Sequence, residues 1–193
     1  MTSLTLEQHR QAFCEKKLMA MPISGTLVWL LIGILALFIE PQKMVLITFI
    51  GTGSIFYLAL VVAKFTGENL IAKKDEIKNP FDILFFSTVV MSLMGFSLVA
   101  MLAQLDYRTV PVSVGIIAGL MWLPLSWIIQ HNVGIIHTVV RTVAITLVWF
   151  LSPENTFVLV PFIIVATYIV SLWQLANRFQ KLQQPTGKPI NEL

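Results

Sequence analysis

Residues Asn132–Pro153 form an apolar stretch whose single charged side chain is Arg141. If a helix begins near Asn132, Arg141 lies nine residues in, about 13 Å along its axis at about 1.5 Å per residue. That is close to the middle of a hydrocarbon layer about 30 Å thick. An arginine at mid-helix costs about 2.5–3.5 kcal/mol on the biological insertion scale, so it must face inward and find partners. Its guanidinium offers five donors in a planar fork that matches carboxylate or phosphate. The carboxylates Glu40, Asp82, Asp106 and Glu154 all stand at the ends of apolar stretches. Hydroxyls, backbone carbonyls, water or an anionic ligand must therefore satisfy Arg141. One reading is a site for a small anion or lipid headgroup. The other is a structural arginine, tied to carbonyls freed by a nearby proline or reaching an end carboxylate.

His137 precedes Arg141 by four residues and shares its helix face, so both are assigned to one polar pocket. A neutral, hydrogen-bonding histidine is the expected form, because a proton relay would call for a buried acid. His131 is rotated from His137 by about 240° on a helix, a poor arrangement for a shared metal. It is read as an interfacial turn residue. No metal, cofactor or catalytic residue is assigned, and an intramembrane enzyme built on the two histidines lacks the carboxylate it would need.

The segment Trp122-Leu123-Pro124-Leu125-Ser126-Trp127 supplies the facing wall. Pro124 has no N–H to donate, which leaves the carbonyl of Leu120 without its usual partner and predicts a kink. Trp122, Ser126 and Gln130 complete the predicted ligand-binding set with Arg141 and His137. Only Gln130-His131-Asn132 separates this segment from the next, so the two must fold as an antiparallel hairpin. That places Leu120–Pro124 at the depth of His137–Arg141.

The elements that position these residues follow from composition. Of 193 residues, 56% are hydrophobic and only 12% charged, against about 25% charged in soluble domains. Six apolar stretches are long enough to be spans: Pro22–Ile39, Met44–Ala63, Ile83–Leu105, Thr109–Gln130, Asn132–Pro153 and Asn155–Asn177. The predicted fold is all-α, a polytopic transmembrane bundle of about six helices. It forms a single membrane domain over residues 1–181, followed by a polar cytoplasmic tail at 182–193. Thr5-Leu6-Glu7-Gln8 has capping-box spacing, and residues 3–19 are read as a short interfacial helix with Leu6 and Phe13 on one face. Asn79-Pro80 and Ser152-Pro153 suit a helix cap followed by a first helical position. One helical turn is expected around Leu70–Ile77.

Ten of the 13 Lys and Arg residues fall in the N-terminal segment, the connection at 64–78 and the C-terminal tail. By the positive-inside rule both termini are cytoplasmic. The net charge of +3 is accounted for by lysines facing anionic lipid and calls for no nucleic acid. Cys14 is alone, so no internal disulfide forms. Gly115 and Gly119 have the spacing for close helix packing, within the chain or, alternatively, in a homo-oligomer.

Met21-Pro22-Ile23-Ser24-Gly25, Lys78-Asn79-Pro80-Phe81 and the Trp122–Trp127 segment together resemble a family of small bacterial multi-pass inner-membrane proteins of unassigned function. The resemblance implies a bacterial inner-membrane setting and supplies no substrate or catalytic residue. The lipid bilayer is the expected partner. The expected function is binding or transport of a small anionic solute or lipid headgroup between the fourth and fifth spans. The alternative is a structural or accessory membrane protein with Arg141 as an internal staple.

Overall fold

A computed structural model describes residues 4–70 and 79–184. These residues form eight α-helices and one short 3-10 helix, with no strand among them. The capping box at Thr5 is formed: its N–H donates to Gln8 Oε1 at 2.8 Å, while Gln8 N–H donates to Thr5 Oγ1 at 3.3 Å. It starts α1, Leu6–Cys14. This helix docks through its C-terminal end, where Phe13 is buried against Phe85. Leu6, paired with Phe13 by spacing, is instead exposed; it lies at the other end of α1, about two turns from the docked Phe13.

The first predicted span is shorter than its apolar stretch. Helix α2, Ala20–Leu35, ends before Ile39, and residues 36–38 form turns. Its start is fixed from outside, since the Glu68 carboxylate accepts the N–H groups of Met19 and Ala20. A carboxylate at a helix N-terminus satisfies orphan donors and opposes the positive end of the dipole. Helix α3, Pro41–Thr66, opens on a proline and closes on Gly67 at φ 74°, a left-handed position that favours glycine. Helix α4, Pro80–Leu105, is capped by Asn79, whose Oδ1 accepts from Phe81 N–H at 2.9 Å. The turn expected around Leu70–Ile77 and most of the tail lie outside the described residues.

The fourth stretch is divided in two, α5 (Thr109–Leu120) and α6 (Trp122–Ile129), with the break at Met121. Pro124 lies four residues after Leu120, so the missing donor and the break coincide. A left-handed Gln130 turns the chain into α7, Val133–Leu151. Ser152 and Pro153 lead into the 3-10 turn Pro153–Asn155 rather than directly into a helix. Helix α8 then runs Thr156–Gln183 and carries helical structure two residues into the segment read as tail.

Five of these segments are long and apolar enough to cross a membrane, with α5–α6 counted as one broken crossing; α2, at 16 residues, is a shorter apolar helix. Helix α2 packs along α3 and α8, α8 packs on α7, and α7 packs on α5 and α6. The outward surface is apolar. Phe38, Phe65, Leu105, Phe150 and Leu151 are all largely exposed, an arrangement suited to lipid rather than water as solvent. Gly115 is used within the chain: a Cβ there would meet Ile145 Cδ1 of α7 at 2.8 Å and Ile164 Cδ1 of α8 at 3.2 Å.

Candidate functional site

Arg141 is fully buried, at 0% exposure. Its helix, α7, is held against the broken α5–α6 by two hydroxyls. Ser126 Oγ accepts the N–H of Ile135 at 2.9 Å, satisfying a donor in the first turn of α7. Thr138 Oγ1 donates to the Gly119 carbonyl at 2.9 Å, one residue before the carbonyl that Pro124 frees. The lack of a side chain at Gly119 makes room for the arginine, since a Cβ there would lie 3.2 Å from Arg141 Cδ and 3.4 Å from Nε. The kink and the arginine therefore share one packing site.

The guanidinium is enclosed by rings. Its Cζ lies 5.9 Å from the centre of Trp29 on α2 and 5.6 Å from that of Tyr168 on α8, within cation–π range. Nη1 is 3.3 Å from His137 Nε2. On its other side, His137 Nδ1 is 2.8 Å from Ser171 Oγ, which itself donates to the Thr167 carbonyl at 2.9 Å. A serine hydroxyl has one proton to give. Nδ1 must then carry the imidazole proton, and Nε2 accepts from the arginine. The ring of His137 is stacked on Trp122, with centroids 4.1 Å apart and planes 15° apart, and it also meets Tyr168 at 5.0 Å.

Nε and Nη2 of Arg141 are buried without a hydrogen-bond partner. Among the described residues no carboxylate pairs with Arg141; the ion pairs there are Glu7–Arg10, Lys16–Asp82, Glu40–Lys43 and Asp106–Arg108. The arginine reaches no end carboxylate, because those groups stay at the bundle ends. Thr138 bonds the Gly119 carbonyl, the neighbour of the one that Pro124 frees.

Of the residues assigned to the pocket, Trp122, His137 and Arg141 form one continuous cluster. Ser126 is buried but spends its oxygen on capping α7. Gln130 is exposed and is not part of the cluster: as the left-handed end residue of α6 it lies well beyond Trp122, more than two turns away. His131 Nδ1 accepts the N–H of Val133 at 3.2 Å, helping to start α7. Burial, then the charges of Arg178 and Lys181, push its pKa below the usual value.

Tyr168 and Ser171 were not legible as site residues. A tyrosine in the apolar first half of α8, with a serine three residues on, was the available signal. Tyr168 is accommodated by Gly25 of α2, where a Cβ would come within 2.7 Å of the tyrosine Cζ and hydroxyl.

A cavity of about 1280 Å³ lies beside this cluster. Thr52 and Tyr57 of α3 line one side and Phe86 and Ser92 of α4 the other; Trp29, Trp122 and Tyr168 are also on its walls. Lys16, Lys17, Glu68 and Asp82 also line it. Three of the aromatic residues around Arg141 and His137 thus also wall the cavity, whereas Arg141 itself does not.

These features define an all-α helical bundle with several membrane-length apolar helices and a buried cation enclosed by aromatic rings. A family model described as a family of unknown function (DUF7010) matches residues 6–178, and the chain belongs to that family. No curated protein and no solved structure matches it.

Proposed function

We propose that this is a bacterial inner-membrane protein, with both termini cytoplasmic, that binds a small organic anion with Arg141 as its anchor. The observation carrying this reading is a fully buried guanidinium that has two nitrogens without a partner and, among the described residues, no acidic counter-charge. An ionised group in that state is expensive. A carboxylate or phosphate, free or on a lipid headgroup, would fill both donor positions with charge-assisted bonds. The cavity between α3 and α4 offers the approach. Its walls are mostly apolar, which suits an anion with an apolar body, and a shift of the Tyr168 or Trp29 ring would join it to the arginine. Transport, as opposed to binding, would require a second opening on the opposite side. The cytoplasmic placement of the termini rests on the distribution of Lys and Arg.

The competing reading, an accessory membrane protein with Arg141 as an internal staple, draws on the two cation–π contacts and the fit against Gly119. Thermal unfolding of the purified chain in detergent, with a panel of short- and medium-chain carboxylates and phosphate monoesters, separates the two. Under the binding reading a subset raises the melting temperature of wild type, Arg141→Lys weakens that effect and Arg141→Gln removes it. If instead no anion shifts wild type and Arg141→Gln lowers the melting temperature, the staple reading holds.

A further inference from the structure

A second cavity, of about 630 Å³, lies at the end of the bundle where α1, the α6–α7 turn and the C-terminal part of α8 converge. Its lining is dominated by cations and amides: Arg10 from α1, Gln130 and His131 from the turn, and Gln174, Arg178 and Lys181 from α8. Among the described residues Glu7 is its one carboxylate and is already paired, with its two oxygens accepting from Arg10 Nε at 3.0 Å and Nη2 at 2.5 Å. Arg178 and Lys181 therefore leave the cavity with an excess of positive charge.

Arg178 is the built element of this site. It is 8% exposed, and one nitrogen, Nη2, donates to the Cys14 carbonyl, pinning the end of α1 to α8. That bond orients the guanidinium and leaves Nη1 buried without a partner. Gln174, one turn earlier on the same face, has its Oε1 buried and unpartnered too. Lys181, three residues beyond Arg178, is exposed and free to swing over the opening. Trp173 lies at the rim with most of its ring exposed, the placement tryptophan favours at the boundary between lipid and water.

We infer that this cavity is a binding site for a phosphate group at the membrane–water boundary, with Arg178 as the fixed donor and Lys181 as the mobile one. Phosphate accepts a charge-assisted bond from the unpartnered Nη1 of the arginine and takes a lysine as a point charge. The site is separate from Arg141 and does not depend on what, if anything, Arg141 binds. Gln130, assigned by sequence to the arginine pocket, belongs to this cavity. The phosphate can come from an anionic phospholipid or from a soluble phosphate ester, and the apolar rim at Trp173 and Leu182 suits the former.

Native mass spectrometry of the full chain released from detergent, titrated with phosphatidylglycerol, phosphatidylcholine or glycerol 3-phosphate, tests this. Wild type is expected to retain phosphatidylglycerol at least about tenfold more tightly than phosphatidylcholine. Lys181→Gln removes one charged contact at an exposed position and leaves the fold intact; it should weaken retention by about tenfold. Arg178→Gln should weaken it further, while Arg178→Lys, which keeps the charge, should fall between. Retention of glycerol 3-phosphate with the same variant pattern would assign the site to soluble phosphate esters. Equal retention of the two lipids together with no binding of glycerol 3-phosphate would overturn the inference. So would phosphate binding that Lys181→Gln and Arg178→Gln leave within a factor of two of wild type.

Discussion

Replacing Arg141 with methionine tests the central reading through stability alone, with no ligand identified. The guanidinium gains two cation–π contacts, about 2 kcal/mol each when desolvated, and a charged hydrogen bond to His137 worth about 1.5–3 kcal/mol. Against this stand a desolvation penalty of several kcal/mol for the buried ion and two unpartnered donors, each costing about 1–3 kcal/mol. Exchanging buried ionic groups for apolar ones is often neutral or stabilising by about 1–4 kcal/mol. Methionine is shorter, and a residual gap of about 50 Å³ at about 24 cal/mol per Å³ returns about 1 kcal/mol of that gain. The expected net effect without ligand is therefore between zero and about 3 kcal/mol of added stability. At about 2–4 °C per kcal/mol for a chain of this size, the melting temperature should stay level or rise by up to about 12 °C. Intrinsic tryptophan fluorescence during heating, at one scan rate and in one detergent, measures it. A fall of more than about 4 °C would refute the reasoning and show that the arginine is kept for its internal contacts.

Three other outcomes follow from the hairpin and its turn. Gly134→Ala should be the most disruptive, because its Cβ would overlap the Trp122 carbonyl oxygen and crowd Ser126 Oγ; a loss of about 3 kcal/mol or more, with little monodisperse protein on size-exclusion chromatography, is expected. Ser126→Ala orphans the N–H of Ile135 and should cost about 1 kcal/mol, a drop of a few degrees on melting, without altering any anion response at Arg141. His131 has a folded pKa below the ordinary histidine value of 6.5, lowered first by burial. Below that pH the unfolded chain binds the extra proton first, so stability should fall as pH drops through about 6.5 and level off at the folded pKa. Melting curves from pH 8 to 5 should show this decline, and His131→Gln should reduce it.

Much of the architecture is carried by local signals, and the chemistry of the fold turns on their meeting in space. The apolar stretches, the capping box at Thr5, the Asn79 cap, the break enforced by Pro124 and the hairpin at Gln130–Asn132 each depend on neighbours within a few residues. Such features can be read from sequence because turn geometry and backbone bonding are short-range. The solitary cation on α7 and its histidine four residues away are legible for the same reason. By contrast, α2 begins where Glu68, 48 residues away, accepts its first N–H groups, and it stops short of its apolar stretch. No periodicity announces either event.

The identity of the partners around Arg141 was decided only by tertiary structure. Trp29, Tyr168 and Ser171 come from helices distant in the chain, and in an apolar span an aromatic or serine looks the same whether it faces lipid or a buried ion. Gln130 illustrates the converse: its spacing pointed to the arginine, yet the left-handed turn carried it to the boundary cavity beside Arg178 and Lys181. Sequence alone therefore determined that a charge must be buried, because the cost of an arginine in hydrocarbon is a property of the residue and its depth. Which side chains enclose that charge, and which of its nitrogens stay unbonded, depends on how the helices pack.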